Sequence, residues 1–139
     1  MLQPPRLHLF QGYGIELEYM LVDCDTLDVK PVTDELLKHE IGQYASDFEN
    51  GMVTWSNELV LHVVEIKSSK PENNLNGLEH AFAENVRRIN AILSGWNTML
   101  MPAAAHPFMD PLMETKLWPH ENNEVYDIYN NIFDCRGHG

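Results

Sequence analysis

The hydrophobic rhythm of the chain changes about half-way along. Up to residue 70 the apolar residues come mainly in short runs rich in β-branched and aromatic side chains, the pattern of strands. Beyond residue 75 they recur every three or four positions, the pattern of helices. A first strand is expected over 13–22, followed by a turn at Asp23-Cys24-Asp25-Thr26 and a small returning strand over 29–32. Thr33 reads as the cap of a short helix through about residue 44, with Leu36, Leu37, Ile41 and Tyr44 turned inward. A weak strand over 48–55 is interrupted by Asn50-Gly51. Ser56-Asn57 suits a tight turn, which makes 52–55 and 58–66 an antiparallel hairpin. The clearest helix follows, where Leu75, Leu78, Phe82, Val86, Ile89, Leu93, Trp96 and Leu100 form one stripe over roughly seven turns. Asn76 and Glu79 read as a capping-box variant at its start, and Pro102 stops it. The compact stretch 103–107 suits one more short strand, and 109–122 reads as a loop. A last helix carries Val125, Ile128, Tyr129, Ile132 and Phe133 on one face.

These elements predict an α+β domain, an antiparallel sheet with helices on one face, with no internal repeat and no linker dividing 1–139. The glycine-rich ending, Asp134-Cys135-Arg136-Gly137-His138-Gly139, comes directly after an amphipathic helix and looks like the start of another element. The expectation is a single domain that is the N-terminal portion of a longer polypeptide.

Carboxylates interrupt the apolar runs. Glu16 and Glu18 lie two apart in the first strand and so point to the same side. Glu65 sits among Val63, Val64 and Ile66, where an unpaired carboxylate is costly to bury. Glu58, seven residues earlier, reaches the same face as Glu65 only through a bulge or from a position at the turn. Acidic strands side by side repel unless something positive lies between them. Mg²⁺ is the working hypothesis, because it favours carboxylate and phosphate oxygens and commonly bridges to substrate phosphates. A carboxylate-lined sheet then suits a nucleoside triphosphate held through metal ions. Gly12-Tyr13-Gly14 lacks the further glycines and the following helix of a phosphate-binding loop.

Composition narrows the alternatives. A net charge of -12 argues against unaided binding to nucleic acid or to an anionic membrane. No run approaches the length of a membrane span. Two cysteines, Cys24 and Cys135, make no disulfide framework, and a reducing, cytoplasmic setting is the expectation. His62, in an apolar strand, reads as a satisfied structural histidine. His106, before Pro107, suits either substrate contact or a turn cap. Arg136 and His138 suit phosphate or carboxylate recognition, or else belong to a frayed tail.

Gly14-Ile15-Glu16-Leu17-Glu18-Tyr19-Met20-Leu21-Val22-Asp23, then Asn57-Glu58, Val64-Glu65-Ile66 and His106-Pro107, resemble the N-terminal part of the glutamate–cysteine ligase-like carboxylate–amine ligases. Residues 129–139 are similar to the segment that follows in that family, which belongs to the glutamine synthetase superfamily. The resemblance implies a curved antiparallel sheet whose concave face holds divalent metals and ATP, as part of a longer catalytic domain. It implies Glu16, Glu18 and Glu65 as metal ligands, with Glu58 a fourth carboxylate and Arg136 and His138 on the substrate side. It also implies Mg²⁺ or Mn²⁺ as cofactor and ATP as co-substrate, with an amino-acid carboxylate and an amine as partners. The family takes further ligands from later strands, so these residues alone are expected to be catalytically inert. The competing reading is a non-catalytic acidic module that binds a partner or forms homo-oligomers through an open sheet edge.

Overall fold

The computed structural model describes residues 6–103 and 105–134. Five antiparallel strands form one sheet: β1 (Glu16–Asp23), β2 (Asp47–Asn50), β3 (Val53–Asn57), β4 (Val63–Ser68) and β5 (Thr98–Met101), in the order β2-β3-β4-β1-β5. Helices α1 (Thr33–Ile41) and α2 (Leu78–Ser94) pack on it, and α3 (Pro111–Glu114) and α4 (Asn123–Phe133) follow β5. The expected α+β architecture is therefore present. No described helix is long and apolar enough to cross a membrane.

Strand alternation sorts the side chains into two faces. The register pairs Leu21 with Leu100, Leu17 with Ile66 and Trp55 with Ile66. Leu21, Leu100, Ile66 and Trp55, with Val53 and Val64, turn toward the helices, where they meet Leu36 and Leu37 of α1 and Leu78, Phe82, Ile89 and Leu93 of α2, while Leu17 stays exposed. The opposite face carries Glu16, Glu18 and Met20 of β1, and Glu65 and Lys67 of β4 beside them. Ser56 and Thr54 of β3 continue it.

Several boundaries differ from the sequence expectation, each for a local reason. Ser56 and Asn57 do not turn; they extend β3 opposite Glu65 and Val64, and the reversal falls over 58–62. The hairpin turn lies instead at Gly51, whose φ of 68° is readily reached only without a side chain, between β2 and β3. Thr33 does not cap α1. Its hydroxyl donates to the Val63 carbonyl at 2.9 Å and its amide to Leu61 at 3.0 Å, tying the helix start to the head of β4. Asn76 does not cap α2 either; Gly77 takes that position, without a side-chain cap. The long stripe breaks at Gly95, and Asn97, at φ 51°, turns the chain so that Leu100 reaches the core from β5. Inward residues at three- or four-residue spacing look the same whether Leu100 comes from a helix or from an edge strand. Val29 makes only an isolated bridge to Val22, and the described residues of 103–107 are not strand. In α4 the marked face, Val125, Ile128, Tyr129, Ile132 and Phe133, is exposed, and Tyr126 packs on the core.

The 58–62 reversal is clamped from outside. Leu61 donates its amide to Lys116 at 2.8 Å, Trp118 donates its own to Leu59 at 3.0 Å, and Val60 bridges to Leu117. Trp118 is buried, with its indole N–H on the Glu121 carbonyl at 3.0 Å. The stretch that reads as plain loop thus forms a brace for the reversal.

One buried polar residue locks α2 to the sheet. Asn85 Oδ1 accepts from the Trp55 indole at 2.7 Å and from Asn50 at 3.0 Å, while its amide donates to Ala81 at 2.8 Å. Replacing it strands a buried indole N–H. Asn85→Leu is expected to lower unfolding free energy by about 1–3 kcal/mol. Urea denaturation checks this, and a stability equal to that of the parent contradicts it.

Candidate metal centre

Glu18 and Glu65 stand directly opposite each other on β1 and β4, as cross-strand partners on one face. Like charges so placed are destabilising. Glu58 reaches them from the first position of the 58–62 reversal, one of the two routes its spacing allowed. The Asn57 amide donates to the Glu58 carbonyl at 3.1 Å and to the Tyr126 hydroxyl at 2.9 Å, which sets the direction in which the chain leaves β3. One carboxylate oxygen from each of Glu18, Glu58 and Glu65 lies within 4.8 Å of the others. Glu18 is exposed, Glu58 half-buried and Glu65 buried.

Glu16 is on the same face, one cross-strand pair further along and opposite Lys67, outside this group of three. Arg136 and His138, the expected substrate-side residues, lie outside the described residues.

The three carboxyl groups are not equivalent. Burial pushes Glu65 up, but a hydrogen bond from Lys67 and another from Ser56 outweigh it, and its pKa is lowered on balance. Lys67 Nζ is 2.5 Å from Glu65 Oε1, and Ser56 Oγ donates to the same oxygen at 2.9 Å. Glu65 is thus a fixed, ionised anchor. Glu58 is pushed up to about 7, first by burial and then by the Glu65 charge, the hydrogen bond between the two carboxyl groups and the Glu18 charge. With Lys67 engaged on Glu65, Glu58 holds its proton more tightly than an ordinary glutamate.

The donor set fits a hard divalent cation. All three ligands are carboxylate oxygens, the type preferred by Mg²⁺, Mn²⁺ and Ca²⁺. Oxygens sharing one Mg²⁺ lie about 2.9 Å apart as neighbours and about 4.1 Å apart across the ion, so a spread of 4.8 Å closes with small side-chain movements.

The family model for glutamate–cysteine ligase family 2 matches residues 13–138, nearly the whole chain. The chain belongs to glutamate–cysteine ligase family 2. An uncharacterized protein of Archaeoglobus fulgidus is 29% identical to it over 126 residues, covering 91% of this chain. This glutamate–cysteine ligase family 2 chain spans about a third (33%) of that relative's length. No solved structure matches it.

Two other residues of this family member change their standing. His106 is a turn cap: its Nδ1 accepts from the Met109 and Phe108 amides at 2.9 and 3.1 Å, and its Nε2 meets the Leu27 carbonyl at 2.7 Å. Those partners require a neutral ring protonated on Nε2. His62 is buried as expected, yet it is not satisfied; among the described residues neither ring nitrogen has a hydrogen-bond partner. Sequence reasoning missed Lys67 and Ser56 as neighbours of Glu65. The signal was available, since both lie on its face once β3 runs to Asn57.

The raised pKa of Glu58 has a stability consequence with a definite sign. A carboxyl that binds its proton more tightly when folded stabilises the fold fully below its unfolded value of 4.5, and that contribution is lost as pH rises through about 7. In metal-free buffer, Glu58→Gln is expected to be more stable than the parent at pH 8 and to show a flatter pH dependence between these limits. Urea unfolding at pH 5 and pH 8 measures both. A variant less stable than the parent at pH 8 contradicts the assignment.

Proposed function

We propose that the protein is an ATP- and divalent-metal-dependent carboxylate–amine ligase of the glutamate–cysteine ligase kind. The observation that carries this reading is the convergence of Glu18, Glu58 and Glu65, whose carboxylate oxygens lie within 4.8 Å of one another. Membership of the family supports it. The reaction is phosphoryl transfer followed by acyl transfer. A substrate carboxylate, glutamate being the expected one, takes the γ-phosphoryl group of ATP and ADP leaves. The amine nitrogen then attacks the acyl carbon, the bond to phosphate breaks, and the amine loses a proton to give the amide.

A divalent cation held by the three carboxylates would supply charge compensation for the triphosphate and for the transferring phosphoryl group. Glu65, oriented by Lys67 and Ser56, is the preorganised ligand. Glu58 must release its proton when a cation arrives, so binding is expected to tighten as pH rises. Glu18, exposed at the rim, leaves an approach for phosphate oxygens. The roles of these residues are electrostatic and positional, not acid–base. Glu16, one pair along the same face, is placed to extend the site toward a second ion, and Arg136 and His138 are assigned to the substrate side. Operation in a reducing, cytoplasmic setting belongs to the same reading.

A second reading has one observation in its favour. β5 covers only Met20–Asp23 of β1, so on that side 16–19 have no strand partner among the described residues. An open edge of this kind suits an interaction or homo-oligomerisation module.

Thermal unfolding separates the two readings. With Mg²⁺ or Mn²⁺ and ATP together, the ligase reading predicts a rise in Tm larger than either gives alone. Glu65→Gln is expected to weaken Mn²⁺ binding by about tenfold or more while keeping the fold. A Tm indifferent to nucleotide but rising with protein concentration favours the interaction module and contradicts ligation.

A further inference from the structure

Among the residues of the five described strands, Lys67 is the single Lys or Arg, and it lies on the acidic face. Glu16 stands directly opposite it on β1 and Thr54 on β3. Among the described residues its one ion pair is with Glu65, where Nζ is 2.5 Å from Oε1. The two partners differ in freedom. The Glu65 side chain is 9% exposed, and Ser56 donates to the same oxygen at 2.9 Å. The Lys67 side chain is 36% exposed, and lysine carries its charge on a flexible four-carbon stem. Lys67 can therefore swing away while Ser56 still holds Glu65.

We propose that Lys67 is an exchangeable counter-ion, which neutralises Glu65 in the metal-free protein, leaves when a divalent cation takes that carboxylate, and then binds phosphate oxygens of the triphosphate. The proposal rests on the ligase reading and adds to it a residue that meets the triphosphate directly. Charge drives both halves of the exchange. A dication on Glu65 sets two positive charges beside the ammonium, and like charges at such range repel. A triphosphate on this face meets Glu16 and Glu18, both exposed and acidic, and needs a positive group there besides the metal. Lysine serves phosphate as a compact point charge with three donors. Before and after the exchange Glu65 has a cation and Lys67 an anion, so neither is left unpaired in a partly buried place. Binding is then ordered, because the lysine is free for phosphate only once the metal has displaced it.

The test follows the Lys67 Nζ signal by ¹H–¹⁵N NMR in ¹⁵N-lysine protein, first with Mg²⁺ alone and then with Mg²⁺ and inorganic tripolyphosphate. The expected result is two successive saturable shifts. A signal that stays where it is in the metal-free protein overturns the proposal, and so does one that moves with Mg²⁺ but ignores tripolyphosphate. Lys67→Gln adds a test of sign. It is expected to bind Mn²⁺ alone as tightly as the parent or more tightly, yet to bind tripolyphosphate in the presence of Mn²⁺ about tenfold more weakly. A lysine that only props Glu65 predicts weaker Mn²⁺ binding in that variant, and this result contradicts the exchange. The ligase reading is judged separately, by thermal unfolding with ATP. A Tm raised by metal and ATP together beside an unmoved Nζ strikes out the lysine alone. An Nζ that shifts twice beside a Tm indifferent to ATP strikes out ligation and leaves the exchange standing.

Discussion

Two carboxylates facing each other across adjacent strands are the constraint on which this structure turns. Glu18 and Glu65 occupy one cross-strand pair, and Glu58 is brought to the same spot from the reversal that follows β3. Three acidic groups in a partly dry place need positive charge, and among the described residues a single lysine, Lys67, is paired with them. Lys67 and Ser56 satisfy Glu65, and Glu58 keeps a proton that an ordinary glutamate loses well below neutrality. The arrangement is strained electrostatically, and that strain gives a divalent cation a reason to bind.

Much of the fold holds this spot still. Thr33 fastens the start of α1 to the head of β4. The brace formed by Lys116, Leu117 and Trp118 hydrogen-bonds to the reversal that carries Glu58 and His62. Behind the sheet, Asn85 joins Trp55 to α2, so the strand bearing Ser56 is fixed from its other face. Local sequence, packing and site geometry are thus linked through a few hydrogen bonds whose partners are far apart in the chain.

The architecture and the acidic face were legible in the sequence because they rest on alternation. Glu16 and Glu18 within β1, and Glu65 among aliphatic neighbours in β4, show their faces at a glance. What escaped notice depends on contacts between distant segments. The end of α2 was overrun because Trp96 and Leu100 satisfy a helical stripe equally well from a turn and an edge strand. Ser56-Asn57 looked like a turn because such residues favour turns, yet strand pairing with β4 overrides that preference. His62 read as a satisfied core histidine. Burial was inferable from its neighbours, whereas the lack of a partner shows only once the chain is folded around it.

The account stands or falls on Glu58 holding a proton that a cation can displace. Carboxyl-carbon NMR of selectively labelled Glu58, titrated with and without Mg²⁺, measures this directly. The account predicts a transition near pH 7 without metal, set by burial and two like charges, and a marked downward shift when Mg²⁺ is added. A Glu58 that titrates in the usual carboxylate range and ignores Mg²⁺ would contradict it.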